Sequence, residues 1–498
     1  MVQGGQAFVY TPRGHGLSEV GDIEVFPHGD ELHLFHLTLP NHDVVQHVVS
    51  TDGLAWRTLP HAIRTGEPGE CDDDQIWTMS VSEHDGTFRM LYTALARAED
   101  GMVQRTALAT SDDLIGWRKH DRNPVAQADP RWYETEPGPL SMTSWRDPKP
   151  IRVGDTWYAV VNARTATGPI MRRGCVGLLT STDFETWEVQ PPLFAPGRFW
   201  DLECPQVFTI DGTFYLTASV MEDRTQRYWM APTIDGPYVV PQDGGILAPR
   251  GHYAGRVCTW RGQHLYMGWH LPYKSHADWA TARNPHGKYI VAPLVLTQRP
   301  DGSLAPGTFP GWRAYEKDAP APVAPMPATL FRNAGHDSVP PGWSLQTQPA
   351  EMDLLATPNS IADLSLRATL TLDAPAGGIA FRLDGESGGG YVIELRAGSD
   401  EVILQRWLLT TEARSGRYWF AYDELQRGRL CAPFRPGVPL ELHLLLNGPY
   451  IECSIDGEVV IATLSAARTG GRVGVWADAG AARLTDLTIA PLRRPEHR

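Results

Sequence analysis

Three carboxylates in similar sequence contexts are the residues best suited to chemistry. Asp22 and Asp147 each precede the glycine of a turn by seven residues and Glu203 by nine, and an aromatic stretch follows each turn. A carboxylate near an apolar strand end can have a raised pKa, because desolvation disfavours its charged form, and a general acid needs that property. Two carboxylates that flank a bond are the minimum for glycoside hydrolysis. The alternative is an ordinary ion pair with Arg146 or Lys149.

The composition excludes several classes of protein. The chain has 44 basic and 58 acidic residues, a net charge of −14, which disfavours nucleic acid as a partner. No apolar run reaches membrane-spanning length and the N-terminus does not resemble a signal peptide, so we predict a cytoplasmic protein with no membrane partner. The six cysteines have no paired spacing, so we expect reduced, buried thiols rather than zinc or disulfides.

A turn followed by an aromatic, apolar strand recurs along the first 312 residues. The glycines of the repeated turns are Gly29, Gly86, Gly154, Gly212 and Gly262. A Ser-Asp element that ends in tryptophan follows three of the copies, at Trp56, Trp117 and Trp187. This period, with several short strands per unit, predicts a five-bladed propeller. In the Ser-Asp elements we interpret the Asp or Ser as a turn cap and the tryptophan as packing between blades.

The composition changes after Trp312. Residues 318–327 are rich in Pro and Ala, which favours a semi-rigid linker. Beyond them, apolar residues alternate with period two between Asn-Gly and Asp-Gly turns, which predicts a β-sandwich. The predicted fold is therefore all-β, a five-bladed β-propeller followed by a C-terminal β-sandwich. We expect a catalytic propeller over residues 1–315, a linker over 316–328 and the sandwich over 329–498.

The sequence resembles glycoside hydrolase family 32, the group of invertases, levanases and inulinases. Arg146-Asp147-Pro148 is similar to the Arg-Asp-Pro motif of that family, and Glu203-Cys204-Pro205 to its Glu-Cys-Pro motif. Trp77-Thr78-Met79-Ser80 is similar to its Trp-Ser-Gly-Ser stretch, and the segments around Tyr253 and Trp269 resemble its fifth blade. The order and spacing of these motifs extend the resemblance over the whole chain.

The resemblance implies a role for each carboxylate. Asp22 falls at the nucleophile, Glu203 at the general acid/base, and Asp147 at the residue that binds sugar hydroxyls and stabilises the oxocarbenium-like transition state. The family retains anomeric configuration, acts on β-fructofuranosyl bonds and uses no cofactor, and we expect no metal. The candidate substrate-binding residues are Arg146, Trp77, Ser80, His36, Tyr253 and Trp269.

Some positions depart from the family pattern. Of the family's nucleophile motif, only the aspartate is present here, as Asp22. Leu37 stands where the family usually has a glutamine, and Met79 stands where it has a glycine. In the family these positions shape the pocket for the terminal sugar, so the identity of the sugar stays open. The acidic run Asp72-Asp73-Asp74 has two interpretations, the rim of the site or a solvated loop.

We therefore predict a retaining glycoside hydrolase that acts on β-fructofuranosides or short fructo-oligosaccharides. We therefore expect a small carbohydrate as its binding partner. The sequence leaves open whether the protein forms a homo-oligomer. One alternative is a related furanosidase, or an enzyme that transfers the fructosyl group internally and releases a cyclic difructose. Another is a carbohydrate-binding protein that has lost catalysis, because the nucleophile motif is so reduced.

Overall fold

The computed structural model describes residues 19–39, 41–138, 142–270, 289–317, 335–337, 342–385, 388–411, 418–465 and 467–496. Within these ranges the only helical segments are short 3-10 turns, Arg97–Glu99, Ile170–Arg172 and Pro310–Tyr315. The all-β prediction is confirmed. No helix in the described part of the chain has the length and apolar character needed to cross a membrane. Most of the predicted linker, residues 318–328, lies outside the described residues.

The chain divides into two compact units between Pro306 and Gly307, and the first unit contains five antiparallel sheets. The first sheet comprises β1 (Glu19–His28), β2 (Glu31–Leu39), β3 (Val45–Ser50) and β4 (Arg57–Thr58). The second comprises β5 (Gln75–His84), β6 (Thr87–Leu95), β7 (Arg105–Ser111) and β8 (Trp117–Lys119). The third comprises β9 (Trp145–Val153), β10 (Thr156–Arg164), β11 (Gly174–Ser181) and β12 (Glu188–Phe194). The fourth comprises β13 (Glu203–Ile210), β14 (Thr213–Val220) and β15 (Thr225–Ala231). The fifth comprises β16 (His252–Trp260), β17 (Gln263–His270), β18 (Tyr289–Ile290), β19 (Leu294–Gln298) and β20 (Leu304–Thr308).

Tight turns at the repeated glycines join the first two strands of every sheet. The five glycines all have positive φ, from 56° to 81°. In three of the turns the residue before the glycine, Asp85, Asp211 or Arg261, also has positive φ. Two-residue hairpin loops of this kind match the right-handed twist of the strands they join. The glycine repeat in the sequence is therefore a repeat of hairpins.

The first strands of the five sheets contact one another in chain order, and β1 also contacts β16. Apolar clusters fill the space between consecutive sheets. Phe35 and Met79 belong to the cluster between the first and second sheets, and Leu91 and Trp157 to the cluster between the second and third. Each sheet thus buries its faces against its neighbours.

The Ser-Asp elements act as scaffold, as predicted. Asp52 Oδ1 accepts hydrogen bonds from the main-chain N–H groups of Leu54 (2.9 Å) and Ala55 (2.8 Å). Asp183 makes a matching pair of bonds in the third sheet. Trp187 is buried in the cluster between the second and third sheets. The interpretation of capped turns followed by a packing tryptophan is confirmed.

The second unit forms two further sheets. Its strands are β21 (Gly335–Asp337), β22 (Trp343–Gln346), β23 (Met352–Ala356), β24 (Leu364–Asp373), β25 (Ala376–Leu383), β26 (Gly390–Arg396), β27 (Glu401–Thr411), β28 (Tyr418–Arg429), β29 (Pro439–Asn447), β30 (Tyr450–Ile455), β31 (Glu458–Leu464), β32 (Arg472–Asp478) and β33 (Ala481–Pro491). A seven-stranded sheet has the order β21-β22-β33-β24-β29-β30-β31, and a six-stranded sheet has the order β23-β32-β25-β26-β27-β28. One apolar cluster draws on both sheets, with Leu366 and Leu444 from the first and Ile379 and Val475 from the second.

The six cysteines are unpaired. Cys175, Cys204 and Cys453 are buried, and Cys71 and Cys258 are half-buried. Cys431 is exposed, so the expectation of buried thiols is wrong at that position. Cys431 follows the end of β28, and its Sγ lies 3.1 Å from Glu458 Oε2.

Candidate active site

Each first strand of the first unit carries an irregularity near its beginning. The strand register shifts at Gly21-Asp22, Thr78, Asp147-Pro148, Cys204-Pro205 and Ala254-Gly255. β-bulges of this kind bend a strand and redirect its side chains, and they concentrate next to active sites. Asp147, Cys204 and Ala254 all have positive φ, at 63°, 49° and 48°. Strained backbone at equivalent places in neighbouring sheets marks this end of the first strands as a site.

Asp22 and Asp147 lie side by side at these bulges. One carboxylate oxygen of each and the Cys204 Sγ lie within 4.8 Å of one another. Asp22 is half-buried, and its two oxygens accept hydrogen bonds from Thr78 Oγ1 (2.5 Å) and Trp269 Nε1 (3.1 Å). A donor on each oxygen fixes the plane of the Asp22 carboxylate, as a nucleophile requires.

Asp147 is almost fully buried, with 1% of the residue exposed. Its Oδ2 accepts a hydrogen bond from the main-chain N–H of Cys204 (2.8 Å) and lies 3.7 Å from Arg146 Nε. Its Oδ1 has no hydrogen-bond partner among the described residues. Burial raises the pKa of Asp147 above its ordinary value, Arg146 opposes that shift, and Asp22 adds to it. The unpartnered Oδ1 is a ready acceptor for a ligand hydroxyl.

Glu203 is the first residue of β13 and lies next to Arg146. Its side chain is 20% exposed, whereas the two other carboxylates next to Arg146, Asp147 and Asp201, are 1% and 8% exposed. Its Oε1 accepts a hydrogen bond from Arg146 Nη2 (2.6 Å), and its Oε2 accepts one from the Tyr253 hydroxyl. Burial raises the pKa of Glu203 above its ordinary value, although Arg146 and Tyr253 oppose the shift. A partly accessible carboxyl with a raised pKa can deliver a proton near neutral pH.

Arg146 connects the site to a further carboxylate, Asp201. Its Nη2 also donates to Asp201 Oδ2 (2.8 Å), and its Nη1 donates to Ser144 Oγ (3.1 Å). Although burial opposes its charge, Asp201, Glu203 and Asp147 hold the pKa of Arg146 well above its ordinary value. The sequence analysis did not single out Asp201 or Thr78. Asp201 lies two residues before Glu203 and Thr78 directly follows Trp77, so this closeness in the sequence was the available signal.

A buried ion network lies two residues further along the first strands. Lys149 Nζ donates to Glu24 Oε1 (2.5 Å), and Arg256 Nε lies 3.5 Å from Glu24 Oε2. Arg256 Nη1 donates to the main-chain carbonyls of Cys204 (3.0 Å) and Pro205 (2.9 Å). Lys149 therefore pairs with Glu24, and the alternative that it neutralises a site carboxylate is wrong. Arg256 supports the bulge that follows Glu203.

Two of the predicted substrate-binding aromatic residues lie beside the carboxylates. Tyr253 bonds to Glu203 and Trp269 bonds to Asp22, and their ring centroids are 5.2 Å apart. Trp77 is half-buried near the bulge of β5, and its Nε1 donates to Gln75 Oε1 (2.7 Å). Tyr253 and Trp269 therefore border the carboxylates, whereas Trp77 directly precedes Thr78, which bonds to Asp22.

The other two predicted substrate-binding residues are fully buried. His36 lies inside β2, where its Nδ1 is 2.8 Å from the carbonyl oxygen of Leu37, and burial lowers the pKa of His36 to about 4. Ser80 Oγ is buried and has no hydrogen-bond partner in the described part of the chain. Leu37 and Met79 both lie in the apolar cluster between the first and second sheets. The side chains that depart from the family pattern at Leu37 and Met79 therefore add apolar volume to the core between these two sheets.

Neither interpretation of the acidic run holds for its first two residues. Asp72 is buried, accepts a hydrogen bond from the Tyr92 hydroxyl (2.9 Å) and pairs with Lys119 (2.6 Å). Asp73 is also buried, and it accepts main-chain hydrogen bonds from Gly69 and Arg97, each at 2.8 Å. These aspartates organise the loop ahead of β5.

The grouping of Asp22, Asp147 and Cys204 also raises the question of a metal. Burial, together with the two aspartates, holds the pKa of the Cys204 thiol well above its ordinary value. Because the thiolate and not the thiol binds metals, a thiol in these surroundings is a poor ligand. Both Asp22 oxygens already accept hydrogen bonds. We therefore assign no metal to these residues.

The sequence matches a known protein family. The sequence profile described as "Glycosyl hydrolases family 32 N-terminal domain" matches residues 24–293, which is more than half of the chain. The chain therefore belongs to glycoside hydrolase family 32, and the resemblance found in the sequence is confirmed. The matched range contains Asp147 and Glu203 but begins after Asp22, so the place of Asp22 in the site rests on the structure.

Individual relatives cover part of the chain. A sucrose-6-phosphate hydrolase from Escherichia coli is 26% identical over 221 residues, which is 42% of this chain and 42% of that protein. A 6(G)-fructosyltransferase from Asparagus officinalis is 29% identical over 192 residues, 36% of this chain and 30% of that protein. The chain thus aligns with less than half the length of each relative.

Solved structures match the fold over nearly the whole chain. Fructan 1-exohydrolase IIa from Cichorium intybus has a TM-score of 0.71 at 16% identity and covers 99% of this chain and 98% of that one. Sucrose-6-phosphate hydrolase from Lactobacillus gasseri has a TM-score of 0.67 at 16% identity, covering 95% and 91%. At this level of identity the likeness establishes the shared fold.

Proposed function

We propose that this protein is a retaining β-fructofuranosidase in which Asp22 is the nucleophile and Glu203 the general acid/base. The observation that carries the proposal is the convergence of carboxylates from three sheets. Asp22 and Asp147 lie within 4.8 Å of each other, and Arg146 links Asp147 to Glu203. Holding like charges this close is costly, which supports a functional reason for the arrangement.

The double-displacement mechanism uses each group in turn. An Asp22 oxygen bonds to the anomeric carbon while the glycosidic bond breaks, and Glu203 transfers its proton to the departing oxygen. Glu203 then takes a proton from water, whose oxygen attacks the anomeric carbon and releases Asp22. Asp147 Oδ1, which lacks a partner among the described residues, accepts a hydrogen bond from a sugar hydroxyl. Two inversions at one carbon give net retention.

We assign substrate contact to Arg146, Tyr253 and Trp269, which bond to the carboxylates, and to Trp77, which directly precedes Thr78 in β5. His36 and Ser80 are fully buried, and we assign them to the packing around the site. Met79 and Leu37 alter the volume of that packing. The proposed sugar is a terminal β-fructofuranosyl unit.

The architecture that supports this function is a five-bladed β-propeller followed by a β-sandwich. The mutual contacts of the first strands, including β1 with β16, support a closed ring of five blades. The cluster shared by the seven-stranded and six-stranded sheets supports a sandwich. We propose domains at 1–315 and 329–498 with a linker at 316–328. Limited proteolysis followed by mass spectrometry tests the boundary, and cleavage confined to the interior of either domain would contradict it.

Transfer of the fructosyl group is a second candidate outcome. It uses the same glycosyl-enzyme with a sugar hydroxyl in place of water, and the similarity to a fructosyltransferase favours it. Transfer to a hydroxyl of the same substrate would release a cyclic difructose.

The direct test is a panel of fructosides and arabinofuranosides, including sucrose and sucrose-6-phosphate, with chromatographic separation of the products. We expect release of fructose, or its transfer, from at least one β-fructofuranoside. Asp22→Asn should lower kcat by roughly 10⁴-fold or more, because an amide in place of the carboxylate is a poor nucleophile. Asp243→Asn is the matched control, since Asp243 contacts Tyr228 and Arg299 instead of site residues. Full activity of Asp22→Asn, or turnover of arabinofuranosides alone, would refute the proposal.

A further inference from the structure

One guanidinium nitrogen of Arg146 serves two carboxylates. Nη2 donates to Glu203 Oε1 at 2.6 Å and to Asp201 Oδ2 at 2.8 Å. A direct ion pair with arginine favours the ionised form of a carboxyl group, which is the wrong form for a general acid. The proposed role of Glu203 therefore requires something that offsets Arg146.

Hydrogen bonds hold the carboxylate of Asp201 in a fixed position. Its Oδ1 accepts a hydrogen bond from Ser144 Oγ (2.9 Å), while Ser144 Oγ accepts one from Arg146 Nη1 (3.1 Å). Asp201 is 6% exposed and Ser144 is 2% exposed. The ring Arg146–Ser144–Asp201 is therefore closed, and it fixes the position of the charge on Asp201. In extended backbone, residues two apart point to the same side, which brings Asp201 and Glu203 to one guanidinium.

We propose that Asp201 is a positioning residue that shares the charge of Arg146 and so allows Glu203 to hold its proton. The inference rests on the proposed role of Glu203 as general acid. Without a negative charge at Asp201, Nη2 would be directed at Glu203 alone, and the ionised form of Glu203 would be favoured.

The groups that face Glu203 divide into two sets. Arg146 on β9 and the Tyr253 hydroxyl on β16 donate to its oxygens and favour the ionised form. Asp201, from the segment before β13, and Asp147 on β9 place negative charge nearby and favour the protonated form. Asp22 on β1 adds a further negative charge beside Asp147. Arg256 bonds to the carbonyls that follow Glu203. Among the groups that favour the protonated form, Asp201 is the one that accepts a hydrogen bond from Arg146 Nη2, the same nitrogen that donates to Glu203.

This arrangement predicts opposite effects for two conservative changes. Asp201→Asn removes a negative charge, so the pKa of Glu203 falls and the high-pH limb of kcat/KM moves to lower pH by about one unit or more. Tyr253→Phe removes a donor to the ionised form, so the same limb moves to higher pH. Asp243→Asn, which also alters an arginine-paired aspartate, should leave the profile unchanged. Ser144→Ala loosens the anchor of Asp201 and should give a smaller shift in the direction of Asp201→Asn.

The measurement is the pH profile of kcat/KM for the wild type and these variants, together with a titration that does not need turnover. In the full-length protein with ¹³C at glutamate Cδ, the Glu203 carboxyl signal is identified by its loss in Glu203→Gln. We expect its midpoint to move down in Asp201→Asn and up in Tyr253→Phe. An unchanged midpoint in folded Asp201→Asn, or in folded Ser144→Ala if Asp201→Asn does not fold, overturns the inference. A shifted midpoint in a protein that cleaves no fructoside keeps the inference about Glu203 and refutes the proposed function instead.

Discussion

The main-chain N–H of Cys204 donates a hydrogen bond to Asp147 Oδ2 at 2.8 Å. Two motifs that are 57 residues apart in the chain therefore meet through the backbone of one and the side chain of the other. Cys204 lies in the bulge with a φ of 49°, and its N–H is directed towards Asp147. Arg256 holds the two carbonyl groups of the same bulge. The site is thus preorganised by main-chain geometry as well as by side chains.

The hydroxyl of Thr78 should matter for reactivity, since it donates to Asp22 Oδ2 at 2.5 Å. Thr78→Val keeps the shape and removes the donor. A hydrogen bond to a charged group contributes about 1.5–3 kcal/mol, so kcat/KM should fall roughly 10- to 100-fold. Thr78→Ser restores the hydroxyl and should recover most of the activity. Equal activity in Thr78→Val and wild type would show that this bond does not orient the nucleophile.

Replacing Glu203 should separate good leaving groups from poor ones. Glu203→Gln keeps the hydrogen-bonding shape but cannot supply a proton, so hydrolysis of a natural fructoside should fall by about 10²–10⁴-fold. A substrate with an activated aryl leaving group needs little protonation, so formation of its glycosyl-enzyme should be much less affected. Pre-steady-state release of the aryl group measures this step. Equal losses for both substrates would count against Glu203 as the acid.

The pH dependence of activity should be bell-shaped. In the proposed mechanism the nucleophile attacks as a carboxylate, which gives the low-pH limb, and Glu203 acts as a protonated acid, which gives the high-pH limb. Burial raises the pKa of Glu203, so its protonated form persists to higher pH and the high-pH limb should lie above the ordinary pKa of a glutamate. Initial rates of kcat/KM between about pH 3 and pH 9 check this. Loss of activity at the ordinary glutamate value would contradict it.

Local sequence rules predicted much of this protein. The glycine turns mark the hairpins, because a two-residue hairpin requires positive φ, and the alternating leucines of β24 mark a strand with one buried face. Asp22, Asp147 and Glu203 were chosen because each precedes its turn by a similar number of residues, and the structure brings Asp22 close to Asp147 and links Asp147 to Glu203 through Arg146. The contacts of Asp201 and Thr78 with site residues were not predicted, since they join residues 55 and 56 positions apart. The burial of Asp72 was missed for the same reason, because its partner Lys119 lies in β8, far along the chain from the loop that carries Asp72.

The buried ion network should stabilise the folded state. Glu24 and Arg256 have no exposed side-chain area, and Glu24 neutralises Lys149 at 2.5 Å. Removing one member of a buried network leaves an uncompensated charge, so Glu24→Gln should lower the free energy of unfolding by about 3–5 kcal/mol. Denaturant titration monitored by tryptophan fluorescence measures this. Asp112→Asn, at an exposed pair with Arg118, is the control and should have no measurable effect. Similar stability of both variants would contradict a stabilising role for the network.

The stereochemistry of transfer tests the central claim most directly. The protein is incubated with a β-fructofuranoside in aqueous methanol, and the methyl fructofuranoside that forms is identified by ¹³C NMR, because a methyl glycoside does not mutarotate. A glycosyl-enzyme on Asp22, attacked by methanol with Glu203 as base, gives the methyl β-fructofuranoside. Formation of the α-anomer, or transfer that persists undiminished in Asp22→Asn, would contradict the retaining mechanism through this carboxylate pair.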